Sequence, residues 1–140
     1  MPTSAQITAA ALSLVGTPFH AQGRLPGVGL DCIGVVVCVA QACGIVVQDR
    51  NDYPMSPNGE LRGELDSRLT RVRGQPQEGD VLMMAFDAEP HHLALYISEN
   101  RIVHAYAANK VRKCVVQPYT DYWRSKVRAV YRFPGVEPCL

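Results

Sequence analysis

The 140-residue chain has no run of lysines or arginines, no CxxC pair, no low-complexity tract and no apolar stretch of bilayer-spanning length. Each absence removes a class of function. Without a basic cluster there is no electrostatic footprint for nucleic acid or an anionic lipid surface. The longest apolar run, about Cys32 to Ala42, falls well short of the ~20 residues a membrane helix needs. Zinc-ribbon and iron–sulfur spacings are missing, so no cofactor is expected. The N-terminal MPTSAQITAAALSLVG has an apolar centre but no basic segment before it, and it reads as a helix and not a signal peptide.

What is present is a balanced, apolar-rich chain: 47% hydrophobic residues and a formal charge of +1. That composition can bury a core, and 140 residues suit one domain spanning 1–140. The five cysteines (32, 38, 43, 114 and 139) are an odd number, which argues against a disulfide framework and for synthesis in a reducing cytosol. Four of them read as small buried hydrophobes or, for Cys139 in the tail, a free thiol.

Thr3–Gln6 forms a capping-box pattern ahead of Ile7, Ala10, Ala11 and Leu14, with Gly16 and Pro18 as the stop. After a loop rich in glycine and proline comes GLDCIGVVVCVAQACG (29–44). Its three valines favour a strand, but its length and the Ile33, Val36, Val37, Ala40 spacing predict a buried helix. Ser56-Pro57 reads as a cap before Leu61, Leu65 and Leu69. The second half consists of β-type runs: VLMMAF (81–86), HLALYI (92–97), RIVHAY (101–106), VRKCVV (111–116) and VRAVYRF (127–133). Helices followed by about five antiparallel strands predict an α+β fold.

Cys32 opens the predicted helix, with Asp31 or a neighbour as its cap. Free N–H groups and the positive end of the helix dipole favour a thiolate there, so Cys32 is expected to alkylate fastest of the five near neutral pH. His92 and His104 are the candidate bases among four histidines, the others being His20 and His91. A three-residue loop Ser98-Glu99-Asn100, closed by Ile97 and Arg101, puts both on one sheet face. His92 then opposes Tyr106 and His104 opposes Ala94, leaving the histidines as diagonal neighbours. A two-residue loop would separate them. Cysteine, histidine and an orienting polar group are the elements of thiol acyl transfer.

Gly16-Thr17-Pro18-Phe19, Gly29-Leu30-Asp31-Cys32-Ile33-Gly34, Gly79-Asp80-Val81-Leu82, His92-Leu93-Ala94-Leu95-Tyr96 and Ile102-Val103-His104-Ala105 stand in that order. Over residues 16 to about 106 this resembles the NlpC-type cysteine peptidases, papain-like hydrolases that cut peptidoglycan stem peptides, typically after the γ-linked D-glutamate. The resemblance implies a nucleophile helix packed on the sheet, with Cys32 as nucleophile, His92 as base and His104 as the orienting residue. It also implies an oxyanion hole that includes the Cys32 N–H. Where the family usually has a tyrosine, Phe19 stands here. Either His20 or Gln22 supplies the missing donor, with Asp31 a further substrate-side candidate, or activity is weakened. The long GRLPGVGLDC loop looks like the branch found in phage tail clusters and gene-transfer agents. With no export signal read from the sequence, the resemblance implies carriage to the wall in a phage or phage-like tail, with other tail proteins and a peptidoglycan peptide as partners.

Three rival readings stand beside this one. The chain is a tail assembly module that keeps the fold and has lost turnover; or Cys32, His92 and His104 bind zinc, although no fourth ligand is evident; or a related thiol fold performs amidase or acyltransferase chemistry.

Overall fold

The computed structural model describes residues 1–47, 60–86, 91–108 and 110–137. Helix α1 (Ser4–Ser13) starts where the sequence places it. The Thr3 hydroxyl accepts from the Gln6 N–H at 3.2 Å, and the Gln6 side chain accepts from the Thr3 N–H at 2.9 Å. Ile7, Ala11 and Leu14 face the core. Past the helix, Gly16 takes φ +95°, a conformation cheap only for glycine, and the chain turns away.

A two-stranded ribbon follows, β1 (Arg24–Leu25) with β2 (Gly29–Leu30), and leads directly into α2 (Cys32–Ala42). Asp31 is the N-cap: its carboxylate accepts from the Gly34 N–H at 2.7 Å. The three valines do not force a strand, because every residue from Gly34 to Ala40 is buried. A helix apolar on all sides is stable when it is enclosed on all sides. Helix α3 (Glu60–Arg68) carries Leu65 into the core, and Leu69 just beyond it. The cap predicted at Ser56-Pro57 and the tail thiol Cys139 lie outside the described residues.

The sheet has six strands, one more than the five runs read from the sequence. In spatial order they are β3 (Thr70–Val72), β8 (Val127–Arg132), β4 (Val81–Met84), β5 (His92–Ile97), β6 (Arg101–Tyr106) and β7 (Lys113–Pro118), each antiparallel to its neighbours. The extra strand, β3, is three residues long and alternates weakly, so it carries no period-2 signal. Helix α4 (Asp121–Lys126) was also unmarked; one turn and a half is too short for a helical period.

Alternation sorts the strand residues onto two faces. Val81, Met83, Leu93, Leu95, Ile97 and Val103 pack with Ile7, Val35 and Val39 under α1 and α2. Leu82, Met84, Ala94, Ile102 and Val130 pack on the other side against Tyr119 and Trp123, the latter from α4. Strands buried on both faces read as continuous apolar runs, as VLMM and HLALYI do. The Gly79-Asp80 motif is structural: Asp80, 1% exposed, holds Arg132 through two bonds of 2.8 and 2.9 Å and accepts from the Gln77 N–H at 2.8 Å.

Candidate active site

The loop ahead of α2 is clamped onto the helix start. Asp31 accepts from the Gln22 N–H at 2.9 Å and from Arg24 at 3.1 Å, besides capping Gly34. Gly34 lets the loop cross close, since a Cβ there would sit 2.1 Å from the Gly23 carbonyl oxygen. Asp31 is thus buried and engaged by the loop it organises. Phe19 packs, half-buried, against the helix-side core, and its backbone bridges Leu30. His20 is exposed, its Nδ1 2.9 Å from the Ala21 carbonyl. Gln22 is half-buried with φ +60°. No hydroxyl stands at position 19.

The β5–β6 register is the one required for the histidines to share a face: Ile97 opposite Arg101, Tyr96 opposite Ile102, Leu95 opposite Val103. The ladder then ends. The expected pairs Ala94 with His104 and His92 with Tyr106 do not form, and the strands part at this end. By alternation the Leu93 N–H points toward β6, where a partner carbonyl would stand; it meets the Cys32 sulfur instead. The thiol itself points to the His91 carbonyl at 4.0 Å. Helix α2 therefore inserts its first residue at the opening between the two strands.

His92 and His104 come from the opposite face and meet directly, His92 Nε2 to His104 Nδ1 at 2.7 Å, closer than a diagonal pair requires. His104 Nε2 reaches Gln117 Oε1 on β7 at 2.6 Å. His104 is fully buried and His92 nearly so. Around them stand Phe86, Tyr106 and Trp123, with ring centroids 5.5 Å (Phe86 to His92), 5.2 Å (Tyr106 to His104) and 4.9 Å (Trp123 to His104). Among the described residues no hydrogen bond joins the Cys32 sulfur to the His92 ring; the two are linked through the backbone of residues 91–93.

Electrostatics depart from the sequence expectation. Burial, reinforced by the neighbouring Asp31 carboxylate, pushes the Cys32 thiol up to about 12. The N–H groups of Leu93, Ile33 and Cys32 favour the thiolate but are outweighed. Burial thus opposes the helix-dipole activation expected of Cys32. Burial holds His92 well below the usual histidine range, and His104 and His91 push the same way. His104 is lowered by burial too, against the hydrogen bond it makes to Gln117 Oε1. Burial thus favours the neutral form of the thiol and of both imidazoles.

Gln117 was not singled out from the sequence. A signal existed, since Gln117 is the one polar residue in the interior of KCVVQP. Without the β6–β7 register nothing tied it to His104. Among the described residues, no three His, Cys, Asp or Glu side chains are grouped as metal ligands would be, and none of the helices is long and apolar enough to cross a membrane.

Residues 16–132 match the family model described as the NlpC/P60 family. The chain belongs to the NlpC/P60 family. Solved structures of similar fold include an NlpC/P60 family protein from Bacillus cereus, at 22% identity and a TM-score of 0.73 over 94% of this chain and 40% of that one. The NlpC/P60 domain of the peptidoglycan hydrolase SagA matches at 21% identity and a TM-score of 0.67, covering 94% of this chain and 99% of that domain. RipD from Mycobacterium tuberculosis, described as a non-catalytic NlpC/P60 domain protein adapted to peptidoglycan binding, matches at 18% identity and a TM-score of 0.62, over 92% and 95%. This chain spans about two fifths of the Bacillus cereus protein and of a Staphylococcus aureus relative. No curated protein sequence matches it.

Proposed function

We propose that this NlpC/P60 domain is a cysteine peptidase that hydrolyses peptidoglycan stem peptides at the γ-D-glutamyl–diaminopimelate bond. Cys32 is the nucleophile, His92 its base, and His104 the residue that positions His92. The observation that carries this reading is the buried His92–His104 pair, bonded at 2.7 Å, at the same strand end whose Leu93 N–H faces the Cys32 sulfur. Because both partners rest neutral, proton transfer and attack are coupled. As the sulfur bonds to the carbonyl carbon, the thiol proton passes to His92, and negative charge gathers on the carbonyl oxygen. The Cys32 N–H at the helix start receives that oxyanion. His92 then returns the proton to the departing amine nitrogen, leaving a thioester. Water, losing a proton to His92, hydrolyses the thioester and frees Cys32.

The test compares the intact chain with Cys32→Ala and His92→Ala on a γ-D-glutamyl–diaminopimelate peptide. Loss of a nucleophile or base from such a set removes roughly 10⁴-fold or more of turnover. Equal release from all three proteins overturns the assignment.

We extend the proposal to setting: the domain works in a phage or phage-like tail tip and opens the wall locally during DNA entry. Support comes from the long GRLPGVGLDC loop, folded as the β1–β2 ribbon with Leu25 and Val28 exposed at its tip. Absence of the chain from purified particles counts against it. A second reading is a binding or assembly domain without turnover. It is favoured by Phe19, which has no hydroxyl, and by the high resting pKa of Cys32. Wild-type protein that binds sacculi and releases nothing supports that reading over the first.

A further inference from the structure

The chain from Gln117 through His104 to His92 has a direction set by one amide group. Gln117 Oε1 can only accept, so a proton must sit on His104 Nε2 to make the 2.6 Å bond. A neutral His104 then has a bare Nδ1, which also can only accept. The 2.7 Å bond to His92 therefore places the proton on His92 Nε2. His92 is left with a bare Nδ1, and a bare nitrogen is what removal of a thiol proton requires. Reversing any link reverses them all. If His104 carried its proton on Nδ1, His92 would accept at Nε2 and carry its own proton on Nδ1, the form unable to act as base.

The surroundings support this ordering. His104 is fully buried, so water does not compete for its Nε2, and Trp123 and Tyr106 pack on its ring at 4.9 and 5.2 Å. Strand register makes the contact rigid: His104 is opposite Val115 and Ile102 opposite Gln117, so Gln117 is the diagonal neighbour of His104 on the same face.

We propose that Gln117 is a positioning residue which, through two bonded imidazoles, fixes the tautomer of His92 that can take the Cys32 proton. The inference rests on the peptidase reading for its purpose, though not for its geometry.

Nitrogen-15 NMR of the ring nitrogens in the whole chain near pH 7.5 tests the geometry without substrate. Both His92 and His104 are expected as Nε2–H tautomers; His92 found as Nδ1–H overturns the proposal. Gln117→Glu keeps the acceptor and should keep both tautomers. Gln117→Leu removes it, and His92 is expected to become a tautomer mixture. On peptide substrate, Gln117→Leu should lower kcat by about 10- to 100-fold with KM within about twofold. Unchanged kcat in folded Gln117→Leu overturns the proposal while the peptidase reading stands. If the leucine variant does not fold, the wild-type and glutamate tautomers still decide. If wild type turns over no substrate, the peptidase reading fails, and the same spectra still judge the tautomer assignment.

Discussion

The face of the sheet beneath α1 and α2 is mostly aliphatic, a layer of Ile, Leu, Val and Met joined by Tyr131 and Phe133. The other face mixes Leu82, Met84 and Ala94 with Trp123, Tyr106 and Phe86, and it alone carries buried imidazoles. One side holds α2 with Cys32 at its start, and the other holds His92 and His104. Cys32 and His92 both stand where the β5–β6 ladder stops after Leu95–Val103 and the strands part. A site assembled from opposite faces of one sheet depends on that gap more than on either core. It also explains the electrostatics, because a thiol set into a sheet opening is desolvated before the helix dipole can act on it.

The largest test of this contrast is thiol reactivity. A Cys32 thiol held at about 12 carries on the order of 10³-fold less thiolate at pH 7 than a free cysteine of ~8.5. Site-resolved mass spectrometry after iodoacetamide treatment should show slow labelling of Cys32 that climbs with pH through 9 and 10 without a plateau. Rapid labelling at pH 7 would show that the helix start governs the sulfur after all.

Next in size is the clamp on the helix side. Gly34→Ala forces a Cβ against the Gly23 carbonyl oxygen and is expected to destabilise the fold by on the order of 3 kcal/mol. Gly63→Ala, on exposed α3 with open space at its Cβ, should instead stabilise by roughly 0.5–1 kcal/mol. Urea unfolding of the two variants checks both signs, and equal midpoints would refute the clamp.

The smallest effect belongs to the imidazole face. Burial lowers both histidines in the folded state, so the unfolded chain binds more protons once pH falls below about 6.5. Stability should be unaffected by these groups above that pH. It should fall as pH drops from about 6.5 toward their folded-state values. Replacing His104 by Gln should flatten this slope between pH 6.5 and 5; an identical slope would mean that the pair is not held neutral by the fold.

Much of this molecule was legible in its sequence because the relevant signals are local. The Thr3–Gln6 capping box, the Asp31 cap and the Ser98–Asn100 loop closed by Ile97 and Arg101 each depend on residues a few positions apart. The family motifs are local too, which is why their order could be read. What was missed is either short or relational. Strand β3 and helix α4 are too brief to repeat a period, and Gln117 acquires its role only from pairing between β6 and β7.

The sequence by itself determined the α+β layout and the helix that begins at Cys32, and it named the three-residue loop that would put His92 and His104 on one face. Those follow from side-chain period and turn length, properties of neighbouring residues. Only the tertiary structure decided that the histidines bond directly, that Gln117 ends their chain, and that burial raises the Cys32 thiol. Burial and long-range register produce those outcomes: the dielectric around a group and the strand beside it are set by distant parts of the chain.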